Sequence, residues 1–140
     1  MNNISKLIFD SNRIKIFGMN RTGLSAKQLR MRLSKIGQDS EAVDDIILME
    51  DVVNSLNKDD LVIIFSITGD RYNHLVDELN ENETKTILIT MNPQTSINNK
   101  VLLKVLLPMV SRGTSRFLDD QALFFIFIEI LLASLAEKRI

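Results

Sequence analysis

Residues 14–23 have the sequence Ile14-Lys15-Ile16-Phe17-Gly18-Met19-Asn20-Arg21-Thr22-Gly23, a short apolar strand that stops at glycine and leads into an amphipathic pattern. Units of this kind build parallel α/β sheets. The first N–H groups of a helix lack partners within it and carry partial positive charge, so the turn could bind an anion. Gly18 permits close approach of the chain, Asn20 tolerates a positive φ, and Arg21 and Thr22 add a charge and a hydroxyl. Taken alone, the turn could equally be a tight connection without a ligand.

A second stretch has the same design. Residues 61–65 are wholly apolar, as expected of a central parallel strand, and Ser66-Ile67-Thr68-Gly69 follows them. Ligands of open α/β sheets gather at the carboxyl ends of the strands, so Thr22, Ser66 and Thr68 could converge on one anionic group. Neither turn has the Walker lysine or the dinucleotide glycine pattern, which argues against a nucleotide as the first choice.

Strand-like and helical patterns alternate along the whole chain. This alternation predicts an α/β fold, a three-layer α/β/α sandwich around a five-stranded parallel sheet. The predicted strands are 14–17, 40–43, 61–65, 86–89 and 101–107, and the predicted helices are 1–11, 24–36, 46–56, 72–79 and 117–138. A chain of 140 residues fits one domain, with its core over residues 13–136.

Two further loops follow predicted strands. Residues 91–96 come after the strand that ends in Thr90, and residues 108–114 come after the last strand. Both could lie at the ligand-bearing edge, and the second could close over the site, but either could also be a plain surface loop.

The spacing of these motifs resembles that of the sugar isomerase (SIS) domain. Residues 18–23 resemble the family's GxGxSG turn, residues 66–69 its SxSG loop, and residues 87–90 the next strand, which ends in threonine. The pair Ser115-Arg116 is similar to one found in RpiR-family transcription regulators. The resemblance runs from Arg13 to Leu135 and implies a flavodoxin-like SIS fold.

The resemblance also implies a set of phosphosugar-binding residues. They are Gly18, Asn20, Arg21, Thr22, Ser66, Thr68, Gly69, Arg71 and Thr90.

The chain departs from the family pattern at several of these positions. Asn20 replaces a glycine, Thr22 and Thr68 replace serines, and Arg71 replaces the loop threonine. Asp70 adds a carboxylate beside the presumed phosphate loop, so we expect repulsion unless Arg71 or Arg21 offsets it.

Three functions are compatible with this resemblance. The first is a phosphosugar-binding effector domain of an RpiR-like regulator of carbohydrate metabolism genes, which would bind DNA only through a helix-turn-helix domain for which this chain has no room. The alternative is a phosphosugar aldose–ketose isomerase, which needs a base near the substrate carbon. The candidate bases are His74 and Glu129. A lone histidine and a carboxylate in an apolar helix are more often structural than catalytic, so we expect no catalytic residue. The third is an oligomerisation domain with a degenerate site.

Composition excludes several other classes. The chain has 17 Lys and Arg against 18 Asp and Glu, so no overall basic field favours nucleic acid. It has no cysteine, which excludes disulfides and thiolate metal sites, and we expect neither a metal nor another cofactor. Residues 1–6 lack the charged start and apolar stretch of a signal peptide, so we expect none, and the apolar run 122–136 is too short to cross a bilayer. A cytoplasmic location is expected.

The last predicted helix has large apolar residues in nearly every direction. One face should pack on the sheet, and the other needs a second apolar surface. We therefore predict a homodimer or homotetramer through residues 117–138, with Glu129 paired to a basic residue such as Arg116.

Overall fold

A computed structural model describes residues 1–109 and 119–139. The strands are β1 (Ile14–Phe17), β2 (Glu41–Val43), β3 (Leu61–Phe65), β4 (Lys85–Thr90) and β5 (Leu103–Leu106). The helices are α1 (Asn2–Asp10), α2 (Arg21–Lys35), α3 (Ile46–Asn54), α4 (Asn73–Glu81) and α5 (Gln121–Arg139), and a single 3₁₀ turn (Asp70–Tyr72) precedes α4.

The five strands form one parallel sheet in the order β2-β1-β3-β4-β5. The predicted fold class is therefore confirmed. After β1 the chain moves outward to β2 and then returns to the other side of β1 to form β3. In such a sheet the loops after β1 and β3 diverge to opposite faces and leave a crevice between them.

The sheet is covered on both faces. Along β3, Ile63 and Phe65 pack with α1, α2 and α5, whereas Val62 and Ile64 pack with α3 and α4. All five residues of β3 are buried, which explains its continuous apolar sequence. The ring of Phe65 meets Phe124 of α5 edge to face, with 5.7 Å between ring centroids.

Helices α1 and α2 of the same chain cover much of the apolar surface of α5 that does not pack on the sheet. Its buried residues belong to the same cluster as Ile4 and Ile8 of α1 and Leu29 of α2. Ile126 and Ile130 remain exposed, at 53% each. Part of the surface predicted to need a second subunit is therefore covered by α1 and α2. In the described part of the chain, no helix has both the length and the apolar character needed to span a membrane.

Glu129 of α5 pairs with Arg32 of α2, at 2.8 Å between Oε2 and Nη2. The expected pairing of Glu129 is present, but its partner lies on a neighbouring helix. Arg116 and the predicted start of the helix, residues 117 and 118, lie outside the described residues.

The connection between β4 and β5 contains no helix. Residues 91–102, which we call the β4–β5 segment, run beside α4, with Ile97 buried in the same cluster as Leu75 and Leu79. Its Lys100 pairs with Asp77 of α4 at 3.0 Å. An irregular segment thus performs the parallel crossover that a helix usually makes. Residues 110–114 of the other predicted loop lie outside the described residues.

Candidate functional site

A cavity of about 350 Å³ opens where β1 and β3 end, at the point where the strand order reverses. We call it the switch-point cavity. Its lining residues are Met19, Asn20, Arg21, Thr22, Ser66, Ile67, Thr68, Arg71 and Tyr72. A parallel sheet with this strand order places its ligand at this position.

A larger cleft of about 600 Å³ lies at the amino ends of β1 and β2. Three of the cations around it already pair with carboxylates: Arg13 with Asp60, Lys15 with Glu41, and Lys27 with Asp44. The switch-point cavity is the better candidate because it lies at the carboxyl edge of the sheet, where the free donors are.

The β1–α2 turn is a tight hydrogen-bonded turn. The Thr22 N–H donates to the Met19 carbonyl at 3.2 Å, and Asn20 between them has φ 56° and ψ −121°. These angles belong to the first central position of a type II′ turn, which favours glycine. The Thr22 hydroxyl also closes the turn, since it donates to the Met19 carbonyl at 2.8 Å and accepts from the Met19 N–H at 3.1 Å.

Gly18 allows this turn to lie against the end of β1. A Cβ at Gly18 would lie 2.3 Å from the Thr22 carbonyl oxygen, a backbone atom that cannot move aside. The first turn of α2 therefore begins directly at the strand end. For this reason α2 starts at Arg21, before the predicted Leu24, in polar residues that show no helical periodicity.

The β3 loop, residues 66–69, supplies hydrogen-bond donors on the side of the cavity opposite the β1–α2 turn. The buried Ser66 hydroxyl accepts from the Gly69 N–H at 2.9 Å, and its own proton has no acceptor among the described residues. The N–H groups of Ile67 and Thr68 are likewise unpaired within that part of the chain. Gly69 has φ 78°, and a Cβ there would lie 2.5 Å from the Thr95 hydroxyl oxygen. Only glycine fits this position without strain.

Two arginines line the cavity, and only one of them already has a carboxylate partner in the described part of the chain. Arg21 pairs with Asp119, just before α5. Arg71 is exposed and makes no ion pair within residues 1–109 and 119–139. Arg71 therefore supplies a free positive charge where the family has a hydroxyl.

Tyr72 was not anticipated from the sequence. Its hydroxyl is buried and has no hydrogen-bond partner among the described residues. Burial raises the pKa of this phenol well above its ordinary value and outweighs the opposing effect of the Arg71 charge. Tyr72 is thus a neutral group at physiological pH. Its position directly after Arg71, at a turn preceding a helix, was the only available signal.

Asp70 does not line the cavity. Its Oδ1 accepts from the Ser96 N–H at 2.8 Å, the Ser96 hydroxyl at 3.0 Å and the Thr95 hydroxyl at 3.1 Å. These bonds, led by that from the Ser96 N–H, hold the pKa of Asp70 below its ordinary value. The carboxylate expected to repel a phosphate is instead bonded to the β4–β5 segment.

The structure brings most of the predicted site residues together. Six of the nine line the cavity: Asn20, Arg21, Thr22, Ser66, Thr68 and Arg71. Gly18 and Gly69 shape the two turns, as described above.

Thr90 lies behind the β3 loop instead of lining the cavity. It is buried, and its hydroxyl donates to the Ile67 carbonyl at 2.9 Å. The candidate bases lie elsewhere: the His74 side chain is 73% exposed and pairs with Glu78, and Glu129 pairs with Arg32. In the described residues, no group of three or more His, Asp or Glu side chains could hold a metal ion.

The family model of the SIS domain matches residues 7–131. No curated protein matches the sequence. Among solved structures, the fold is similar to NanR of Vibrio vulnificus complexed with ManNAc-6P, with a TM-score of 0.85, 15% identity, and coverage of 98% of this chain and 53% of that chain. The chain thus spans about half the length of that protein.

Two further structures have the same fold. One is the sugar isomerase domain of an RpiR transcription factor from Sphaerobacter thermophilus, with a TM-score of 0.83, 17% identity, and coverage of 99% of this chain and 77% of that chain. The other is a Methanococcus jannaschii protein for which a 3-hexulose-6-phosphate isomerase function has been inferred, with a TM-score of 0.76, 20% identity, and coverage of 98% and 76%.

Proposed function

This chain belongs to the SIS domain family, and we propose that it binds the phosphate of a phosphorylated sugar in the switch-point cavity. The observation that carries this proposal is the chemistry of the lining. Among the described residues, it combines hydroxyls, an amide and two guanidinium groups, and it contains no carboxylate. Unpaired N–H groups at the ends of parallel strands suit a phosphate dianion.

Each donor has a defined part in the proposed complex. The Ser66 hydroxyl has a free proton, Thr68 supplies an exposed hydroxyl, and the N–H groups of Ile67 and Thr68 have no competing acceptor in the described chain. Arg71 contributes the charge. The Thr22 hydroxyl must first release the Met19 carbonyl before it can donate to a ligand.

We propose that binding, and not turnover, is the role of the site. Moving a proton between sugar carbons needs a base within hydrogen-bond reach. The described lining of the cavity contains neither a carboxylate nor a histidine. The proposed role is therefore that of an effector domain of an RpiR-like transcription regulator controlling carbohydrate metabolism genes. The similarity to NanR and to the Sphaerobacter thermophilus factor supports this role.

The alternative is a phosphosugar isomerase, which the similarity to the Methanococcus jannaschii protein favours. An isomerase would need its base from residues beyond those that the structure describes around the cavity.

Titration of the purified protein with hexose, hexosamine and pentose phosphates, and with the same sugars unphosphorylated, tests the proposal. We expect only phosphorylated sugars to raise the melting temperature, since a ligand at 100 times its dissociation constant adds about 2.7 kcal/mol to stability. Ser66→Ala and Arg71→Ala should each weaken binding at least tenfold, because each removes a hydrogen bond to a charged group worth about 1.5–3 kcal/mol.

Two variants serve as matched controls. Ser55→Ala removes an exposed hydroxyl that donates to Val52, and Arg30→Ala removes an exposed cation of α2 outside the cavity. Both should leave the affinity within twofold. Equal stabilisation by unphosphorylated sugars, or unchanged affinity in Ser66→Ala and Arg71→Ala, would refute the site. Interconversion of an aldose and a ketose phosphate, followed by NMR, would favour the isomerase.

A further inference from the structure

We propose that Asn92 and Asp70 are positioning residues, which hold the β3 loop in the conformation in which its Thr68 N–H points into the switch-point cavity. This inference rests on the proposed phosphate site and concerns residues outside its lining. Both side chains join the β3 loop to the β4–β5 segment, and neither lines the cavity.

Two hydrogen bonds hold Asn92 in place, apart from its contact with the β3 loop. Its N–H donates to the Thr90 hydroxyl at 3.2 Å, and its side-chain oxygen accepts from the Gln94 N–H at 3.0 Å. The remaining side-chain group, Nδ2, donates to the Thr68 carbonyl at 3.0 Å. The Asn92 side chain is therefore already fixed in the orientation in which its Nδ2 donates to the β3 loop.

The direction of the Thr68 N–H follows from its peptide group. The Ile67 carbonyl of that group accepts from the Thr90 hydroxyl at 2.9 Å and from the Met91 N–H at 3.2 Å, both at the end of β4. In a trans peptide the N–H points opposite to the carbonyl. Because β3 lies between β4 and β1, the Thr68 N–H points away from β4 and towards the β1 side, where the cavity lies. Hydrogen bonds accepted by the carbonyl also polarise the N–H and strengthen it as a donor.

Asp70 ties the other end of the loop to the same segment. Its carboxylate accepts three hydrogen bonds from Thr95 and Ser96, and Gly69 packs closely against Thr95. The loop and the residue that follows it are thus bonded, at residues 67, 68 and 70, to the end of β4 and to the β4–β5 segment. A carboxylate so bound supports the anion site, although its charge alone would oppose an anion.

Hydrogen exchange of the ligand-free protein tests the positioning directly. The Gly69 N–H donates to the Ser66 hydroxyl within the β3 loop, so its exchange rate reports how often the loop leaves this hydrogen-bonded conformation. In Asn92→Asp the donor to the Thr68 carbonyl becomes an acceptor, so we expect Gly69 to exchange at least tenfold faster. Gln94→Glu adds the same charge to the same segment but removes no described side-chain contact, so it should change this rate less than twofold. Unchanged exchange in Asn92→Asp would overturn the proposal whether or not phosphate binds.

Titration with inorganic phosphate, followed by NMR at the Thr68 amide, tests the consequence for binding. The dissociation constant should rise at least fivefold in Asn92→Asp and in Asp70→Ala, and should stay within twofold in Gln94→Glu. Asp70→Asn should lie between Asp70→Ala and the wild type, because the amide oxygen can still accept from Ser96. Tighter binding in Asp70→Ala would overturn the positioning role and indicate simple repulsion. If neither inorganic phosphate nor a sugar phosphate shifts an amide of the wild-type loops, the proposed function fails, and the exchange rates still decide the positioning.

Discussion

Asn20 occupies a backbone conformation that glycine adopts more readily. A residue other than glycine in a conformation of this kind costs about 1–3 kcal/mol. The SIS family pattern has glycine at this position, so the sequence comparison also indicates a backbone conformation that favours glycine. The side chain of Asn20 lies at the cavity, where backbone strain is most often retained for function.

Asn20→Gly should therefore stabilise the protein by about 1 kcal/mol, since the relief of strain exceeds the entropy that glycine adds to the unfolded chain. Urea unfolding at pH 7 measures the change. Asn99→Gly is the control, because Asn99 is exposed and does not have a positive φ. It should be neutral or destabilising. A loss of stability in Asn20→Gly would show that the side chain contributes more than its backbone strain costs.

Single residues also show where sequence reasoning stops. The sequence predicts that Thr22, Ser66 and Thr68 lie close together, and all three line the cavity, because each follows the carboxyl end of a parallel strand. The roles of Asp70 and Thr90 were not foreseen, because they depend on the path of the β4–β5 segment. A carboxylate near an anion site indicates repulsion until its hydrogen-bond donors are known.

At the scale of elements, a partly buried ion pair between Arg13 and Asp60 joins the starts of β1 and β3, the two strands whose far ends form the cavity. The Asp60 carboxylate is fully buried and accepts from the Arg13 side chain at 2.8 Å and from the Asn57 N–H at 2.9 Å. Burial alone would raise the pKa of Asp60, but the hydrogen bonds and charge of Arg13, together with the hydrogen bond from Asn57, outweigh it and lower the pKa below its ordinary value.

Asp60→Asn should destabilise the protein by about 2 kcal/mol at pH 7, less than for a fully buried pair because Arg13 is partly exposed. The contribution of a carboxylate with a lowered pKa is complete above its unfolded value and disappears as pH falls through the folded value. Urea unfolding from pH 7 to pH 2 should thus show the difference between Asp60→Asn and the wild type shrinking below about pH 4. Glu41→Gln is the control: the Glu41 carboxylate is exposed and pairs with Lys15 at 3.4 Å, so its loss should cost less than about 0.5 kcal/mol. A difference at pH 2 that is as large as at pH 7 would contradict the charge-based role.

Elements differ in how well the sequence predicts them. Strands β1 and β3 have the bounds expected from their apolar runs, because burial on both faces leaves a clear pattern. Helix α2 begins before its periodic pattern, since Gly18 lets its polar first turn lie against β1. The β4–β5 segment has no periodicity, so its contacts could be learned only from the structure.

At the scale of the whole molecule, α5 is only partly covered by its own chain. The chain's own α1 and α2 cover part of the helix, and the exposed apolar residues Ile126 and Ile130 lie one turn apart on it. Two copies meeting through this stripe would bury the same residues on both sides, as a two-fold interface does. Homo-oligomerisation through α5 therefore stays a prediction, with a smaller surface than the sequence indicated.

Light scattering coupled to size exclusion at micromolar concentrations should give at least twice the 16.0 kDa of one chain. The double variant Ile126→Glu and Ile130→Glu should be monomeric with unchanged circular dichroism, because it places charges where apolar side chains would be desolvated. Ile47→Glu is the matched control: Ile47 is 66% exposed on α3, across the sheet from α5, and the oligomer should persist. A monodisperse wild-type monomer would exclude the interface.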